Sequence, residues 1–257
     1  MTKNKDVINP WVPILLLLFV WQVCSWAGFL NSQFLPSPLA LMSEIVDSFA
    51  NQHLLGDIFA SLKRVLIGFT IAAATGVSLG IFAGTNQVAR SFISPLAEIF
   101  RPIPPIAWIP IAILWFGLGD KPAFFLVFLG AFFPIFTNSM LGALSLEETH
   151  RRAAYSLGAD KKHFLADILL PASLPHIFAG MKIGLGVSWM AVITAELVGS
   201  QSGLGYMIQF NRFLLNTPKV VVGMVVIGAI GFLLNRLMAR VEAALVPWKD
   251  FKGANHI

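Results

Sequence analysis

The chain has 257 residues, of which 56% are hydrophobic and only 12% charged, with a mean hydropathy of +0.75 and a formal charge of +5. No soluble domain of that size tolerates such a surface, so the composition excludes a soluble enzyme or binding module and indicates a polytopic membrane protein. At roughly 20 residues per span, the length allows about five to seven helices, and residues 1–257 are expected to form a single transmembrane domain.

The chain opens with Lys3 and Lys5 ahead of an apolar run from Trp11 to Leu30. That run is too long for the core of a cleaved signal and lacks an A-x-A site, so a retained first span is expected at about 11–29, with Trp11 and Trp26 at the two interfaces. The segment Ser37 to Ser61 mixes Leu41, Ile45 and Phe49 with Glu44, Asp47, Asn51 and Asp57, which predicts an amphipathic helix on the membrane surface. A second span follows at 64–84, where Gly68, Ala72, Gly76, Gly80 and Gly84 form a stripe of small residues suited to close helix contact. A third, at 103–118, must be kinked or shortened in its first half, because Pro102, Pro104, Pro105 and Pro110 remove helix donors. A fourth is expected at 122–144, a fifth at 175–198 and a sixth at 219–240. In the fifth, Gly180, Gly184 and Gly186 serve either helix packing or a path lined by backbone carbonyls.

Basic residues set the orientation. With both termini cytoplasmic, the inner side holds Lys3, Lys5, Arg90, Arg101, Arg151, Arg152, Lys161, Lys162, Arg236, Arg240, Lys249 and Lys252. The outer side then holds only Lys63, Arg64, Lys121, Arg212 and Lys219, while Lys182 snorkels from the inner end of the fifth span. The same distribution, in which charges flank apolar runs, argues for a lipid membrane as partner and against nucleic acid. The loop 146–172 therefore faces the cytoplasm.

That loop carries a helix-compatible run, Arg152-Ala153-Ala154-Tyr155-Ser156-Leu157, broken by Gly158 and followed by Ala159. A second short run, from Asp160 to Leu169, is expected to end at Pro171. A short helix bounded by glycine and proline is a rigid knob able to seat in a groove and transmit movement.

No G-x-x-x-x-G-K-[ST] occurs, so the phosphate-cradling loop of an ATPase is missing and energy must come from a partner or an ion gradient. An ion-driven carrier needs several ionisable groups within its spans. Only Glu196 and Lys182 qualify, with Glu98 just before the third span. Glu196 either lines a translocation path or acts as a structural acid paired with a base such as Arg212. Trp108, Asn138, Ser188, Trp189 and Thr194 are the other side chains placed near a central cavity, each also open to ordinary packing. The five histidines are scattered, no catalytic Ser/His/Asp set or metal cluster is visible, and the single Cys24 permits no intrachain disulfide.

The spacing Arg152-Ala153-Ala154-x3-Gly158-x9-Ile168-x-Leu170-Pro171 resembles the E-A-A-x3-G-x9-I-x-L-P signature of the permease subunits of ATP-binding-cassette importers. It departs from the signature at its first position, where Arg152 replaces an acid, so shape is expected to matter more than that charge. The segments P-P-I-A-W-I-P at 104–110, G-M-K-I-G-L-G-V-S-W at 180–189, A-E-L at 195–197 and G-L-G-Y-M at 203–207 look like the nitrate/sulfonate/taurine branch. W-F-G-L-G at 115–119 and P-W-K at 247–249 look most like taurine permeases.

The resemblance implies an all-α, type I importer fold with a cytoplasmic coupling helix between the fourth and fifth spans, in a bacterial inner membrane. It implies a second copy of the permease, two ATPase subunits that bind ATP and Mg, and an extracytoplasmic substrate-binding protein, with no cofactor and no enzymatic activity in this chain. Arg152, Ala153, Ala154, Tyr155, Leu157, Gly158 and Ala159 would dock the ATPase. Trp108, Asn138, Ser188, Trp189, Thr194 and Glu196 would line the path for taurine or another alkanesulfonate. Nitrate and bicarbonate are the alternatives within the same class, and a secondary carrier without an ATPase is the alternative outside it.

Overall fold

Apolar runs in this chain become helices, because a backbone in hydrocarbon must satisfy its N–H and C=O groups within its own segment. The computed structural model describes residues 11–29, 35–50 and 53–248, so the expectations resting on Lys3, Lys5, Lys249 and Lys252 lie outside the described residues. Helix α1 spans Trp11–Trp26 and stops three residues short of the expected end, where the chain turns through Gly28 at φ 75°. Its 16 residues reach about 24 Å, less than the ~30 Å of a full hydrocarbon crossing.

The surface helix expected over 37–61 divides into two. Helix α2, Pro38–Ala50, buries Leu41 and leaves Leu39, Met42, Val46 and Phe49 exposed. Asp57 and Ser61 belong instead to α3, His53–Thr85, which starts eleven residues before the expected second span at 64.

The third span differs most from its expectation. Helix α4, Gln87–Phe100, occupies a stretch expected to be a connection, and the Asn86 side chain caps it by accepting from the N–H groups of Val88 and Ala89. After residues 101–104 come a 3-10 turn, Pro105–Trp108, and helix α5, Ile109–Phe116. The two halves bend by 87°. Pro102, Pro104 and Pro105 lie at the break and cannot donate the hydrogen bonds that would carry α4 straight on.

Helix α6, Asp120–Leu144, follows as expected, and α7, Glu148–Ser156, lies in the connecting loop. A further departure comes next. The run expected to stop at Pro171 continues: α8, Lys161–His163, a π-helical turn, Phe164–Leu169, and α9, Leu170–Gly199, form one rod. In the π turn the Leu170 N–H reaches the Leu165 carbonyl, so the i→i−4 ladder is already interrupted where Pro171 lacks an N–H, and the rod continues through it. Helices α10, Leu204–Phe213, and α11, Thr217–Leu245, complete the described chain.

Among the described residues, four helices are long and apolar enough to cross a membrane, Leu54–Thr85, Asp120–Leu144, Lys161–Gly199 and Thr217–Leu245, and a fifth crossing results if the bent α4–α5 pair is one span. The first expected span, at 11–29, is the shorter α1. Helix α6 packs between α3 and α9, with Leu126, Val127, Ala131, Ile135, Leu185 and Val192 in the core.

The stripe of small residues on α3 seats α6. A Cβ on Gly80 would lie 2.6 Å from the Phe136 carbonyl oxygen, and one on Gly84 2.5 Å from Ala143 Cβ. Gly180 meets α6 in the same way, 2.8 Å from the Pro134 oxygen, so packing accounts for it. Gly186 does not: a Cβ there would meet nothing within 4 Å, and the residue opens onto a 280 Å³ groove between α9 and α11 lined by Lys182, Trp189, Gly231 and Asn235. At the groove, Lys182 is held by an ion pair to Glu242 of α11.

Candidate functional site

The loop between α6 and the α8–α9 rod folds into a compact knob. Helix α7 ends in a Schellman turn: the Ala159 N–H bonds to the Ala154 carbonyl at 3.1 Å and the Gly158 N–H to the Tyr155 carbonyl at 3.0 Å. Gly158 has φ +89°, a left-handed conformation that side chains disfavour, and a Cβ there would meet nothing within 4 Å. Its requirement for glycine is thus one of backbone, with no steric component.

Ala154 is buried and packs with Phe164, Leu169 and Ala159, while the Tyr155 ring stacks on Phe164 at 5.3 Å. Leu157 is 89% exposed at the tip. Behind the knob lies a 440 Å³ cavity lined by Glu148, Arg151, Tyr155 and Lys161 together with the ends of α3 and α6.

The charge pattern at the knob is local. Arg152 is exposed and bonds to Glu148 one turn earlier at 3.2 Å, and Arg151 reaches the same carboxylate at 2.6 Å. The Arg151 hydrogen bond holds the Glu148 carboxyl below its usual range, with Arg152 adding to the effect. Asp160 caps the rod that follows by accepting the His163 N–H at 2.8 Å, and this bond lowers its pKa.

The residues expected along a path do not form one cluster. Ser188 is fully buried and donates to the Val127 carbonyl at 3.0 Å, tying α9 to α6. The Trp189 indole N–H donates to the Ile227 carbonyl of α11 at 3.1 Å. Asn138 and Thr194 donate back to their own helices, to Pro134 and Met190. Trp108 packs its ring against Phe100 and Phe125 at 6.0 and 6.3 Å.

Glu196 is 1% exposed, and its basic partner is Arg64, at 2.8 Å. Arg212 lies instead over the Phe213 ring. Arg64 also donates to Asp120, to the Ser202 carbonyl and to the Ser202 hydroxyl, at 2.6–2.8 Å, so each of its five N–H groups has a partner.

The N-terminus of α10 rests on the same cluster. The Gly203 N–H donates to Asp57 at 2.8 Å, the Leu204 N–H to Ser61 at 2.9 Å and the Gly205 N–H to Glu196 at 2.9 Å. These bonds satisfy the donors that a helix leaves open at its start. Sequence reasoning missed Asp57, Ser61 and Arg64, although their i, i+4, i+7 spacing puts them on one helical face.

A membrane domain of this topology, with a cytoplasmic-type knob between α6 and the α8–α9 rod, defines the membrane subunit of an importer. The chain belongs to the binding-protein-dependent transport system inner membrane component family, whose profile matches residues 76–248. Among individual relatives, it is 33% identical over 238 residues to the taurine transport system permease protein of Escherichia coli K12, covering 91% of this chain and 86% of that protein. It is 35% identical over 256 residues to the nitrate import permease protein of Synechocystis sp. PCC 6803, covering 95% and 91%. The fold is similar to a chain of the inward-facing methionine transporter MetNI, with a TM-score of 0.67 at 19% identity, covering 76% of this chain and 97% of that one. The protein is an all-helical permease of an ATP-binding-cassette importer with a type I fold.

Proposed function

We propose that this permease imports a small sulfonate or oxyanion, with taurine or another alkanesulfonate as the first candidate and nitrate or bicarbonate as the alternatives. The segments W-F-G-L-G at 115–119 and P-W-K at 247–249 favour the taurine side. The working unit is two copies of this chain, two ATPase subunits that carry ATP and Mg, and an extracytoplasmic binding protein. Both termini are cytoplasmic, in the orientation favoured by the basic residues.

The observation that carries this reading is the glycine-terminated knob. Arg152, Ala153, Ala154, Tyr155, Leu157, Gly158 and Ala159 present a rigid, largely exposed surface anchored by Ala154 to the ends of the membrane helices. ATP binding draws the ATPases together, moves two such knobs toward each other and turns the cavity outward; hydrolysis restores the inward-facing state. Coupling of this kind needs a firm mechanical contact, and the Schellman turn supplies the firmness. Trp108, Asn138, Ser188, Trp189 and Thr194 contribute to the path mainly by fixing the helices that border it, and Glu196 by closing its outer end.

The test has two arms. ATP-dependent uptake of taurine and of nitrate is measured in proteoliposomes holding the full assembly, and the isolated binding protein is titrated with the same solutes. Uptake that persists without the ATPase subunits would instead establish a secondary carrier.

A further inference from the structure

Arg101 differs from Arg64 and Lys182, the two cations paired inside the helix bundle. Arg64 is paired with Glu196 and Asp120, and Lys182 with Glu242. The Arg101 guanidinium is exposed and makes no ion pair or hydrogen bond to any described residue. Expected at the cytoplasmic boundary, it sits instead at the elbow of the broken span, between α4 and the 3-10 turn.

The depth of that elbow follows from its neighbours. Before it, Ser94 contacts Met140 at 3.4 Å and Ala97 packs against Phe136 and Phe132, in the second half of α6. Beyond it, Trp108 packs against Phe125 in the first half of α6. The elbow is therefore level with the middle of α6, which lies about 18 Å from either end of that helix at 1.5 Å per residue.

A guanidinium at such depth is not stable against lipid, and irregular backbone there must be covered by protein or line a wet path. Pro102, Ile103 and Pro104 are exposed beside it, so this chain alone does not cover the elbow. Broken helices near the midplane are where transporters place their solute sites. Arginine also matches the solute: its planar fork donates in pairs to the oxygens of planar or tetrahedral oxyanions.

We propose that Arg101 is the anion-recognising residue of the translocation path, receiving the sulfonate or oxyanion group of the solute at the elbow of the broken span. The proposal rests on the import of an anion by an assembly of two copies. Glu98, one turn earlier and also exposed, is the competing partner, because Glu98 of one copy meeting Arg101 of the other would make the pair structural.

The experiment uses the full assembly in proteoliposomes, with taurine and nitrate as probes. Arg101→Gln lowers ATP-dependent uptake by about ten- to hundredfold while assembly persists, and Arg101→Lys retains a larger share. In a Cys24→Ser background, Arg101→Cys is modified by a cationic aminoethyl thiosulfonate, which restores uptake, and by an anionic sulfonatoethyl one, which does not. Uptake within about twofold of the parent in Arg101→Gln overturns the proposal. So does an unreactive cysteine, loss of assembly in both the Gln and Cys variants, or recovery of Arg101→Glu by adding Glu98→Arg. If the parent itself imports neutral solutes and no anion, the proposed function fails; if the parent imports anions and the variants do too, only the role of Arg101 fails.

Discussion

Replacing Gly158 with valine tests the knob at its most exposed mechanical point. A Cβ at this position meets no atom within 4 Å, so the whole effect comes from φ +89°. Holding a side-chain-bearing residue in the left-handed region costs about 1–2 kcal/mol, and more for a β-branched one. The two hydrogen bonds of the Schellman turn together contribute about 1–3 kcal/mol, so the strain is comparable with what closes the turn. The closed knob is then depopulated by a factor of about 5–30, while the domain, stable by roughly 5–15 kcal/mol, stays folded and inserted. Gly158→Asn is the control, because asparagine tolerates the left-handed region and leaves the same exposed surface. The assay is ATP-dependent uptake in proteoliposomes, together with co-purification of the ATPase subunits. Valine is expected to lose most uptake and weaken association, and asparagine to retain both. Equal uptake and association in the two variants would refute the docking argument.

Other consequences concern stability and pH. Glu196→Gln leaves Arg64 with Asp120 as its remaining carboxylate and is expected to lower stability, and Arg64→Met to lower it further, by about 3–5 kcal/mol, because the buried Glu196 then loses its cation while Asp120 retains Lys63 at 3.5 Å; thermal unfolding in detergent ranks the two. Gly80→Leu forces side-chain atoms onto the Phe136 carbonyl and Ser139 and is expected to cost about 1–3 kcal/mol or to block folding, whereas Gly186→Ala, with open space before it, should leave the unfolding temperature unchanged. The lowered pKa of Glu148 means that its ion pair supports α7 fully above the ordinary value of 4.5 and is lost as pH falls through the lowered folded value. Amide protection of α7, corrected for intrinsic exchange, should fall in that acid window and stay level above it, and Glu148→Gln should abolish the dependence.

Helices were legible where periodicity or apolar length alone decides them. Asp120–Leu144 begins and ends within two residues of its expected limits, and the α7 knob ends at Gly158 as its glycine predicts. The misplaced boundaries lie where prolines or mixed polarity allow two outcomes. Asp57 and Ser61 read as part of a surface helix because they bond to α9 and to the start of α10, partners more than a hundred residues away. Pro171 read as a stop because the π turn that accommodates it leaves no mark in composition.

Taken alone, the sequence determined the membrane class, the approximate spans and the knob, since hydrocarbon thickness and the conformational limits of glycine act on local stretches of chain. Tertiary structure decided the pairing of Glu196 with Arg64, the seating of α3 and α9 on α6, and the depth of Arg101. Each of these depends on which helix faces come together. A charge counted as cytoplasmic along the chain becomes a charge at mid-depth once α4 is seen to run beside the second half of α6.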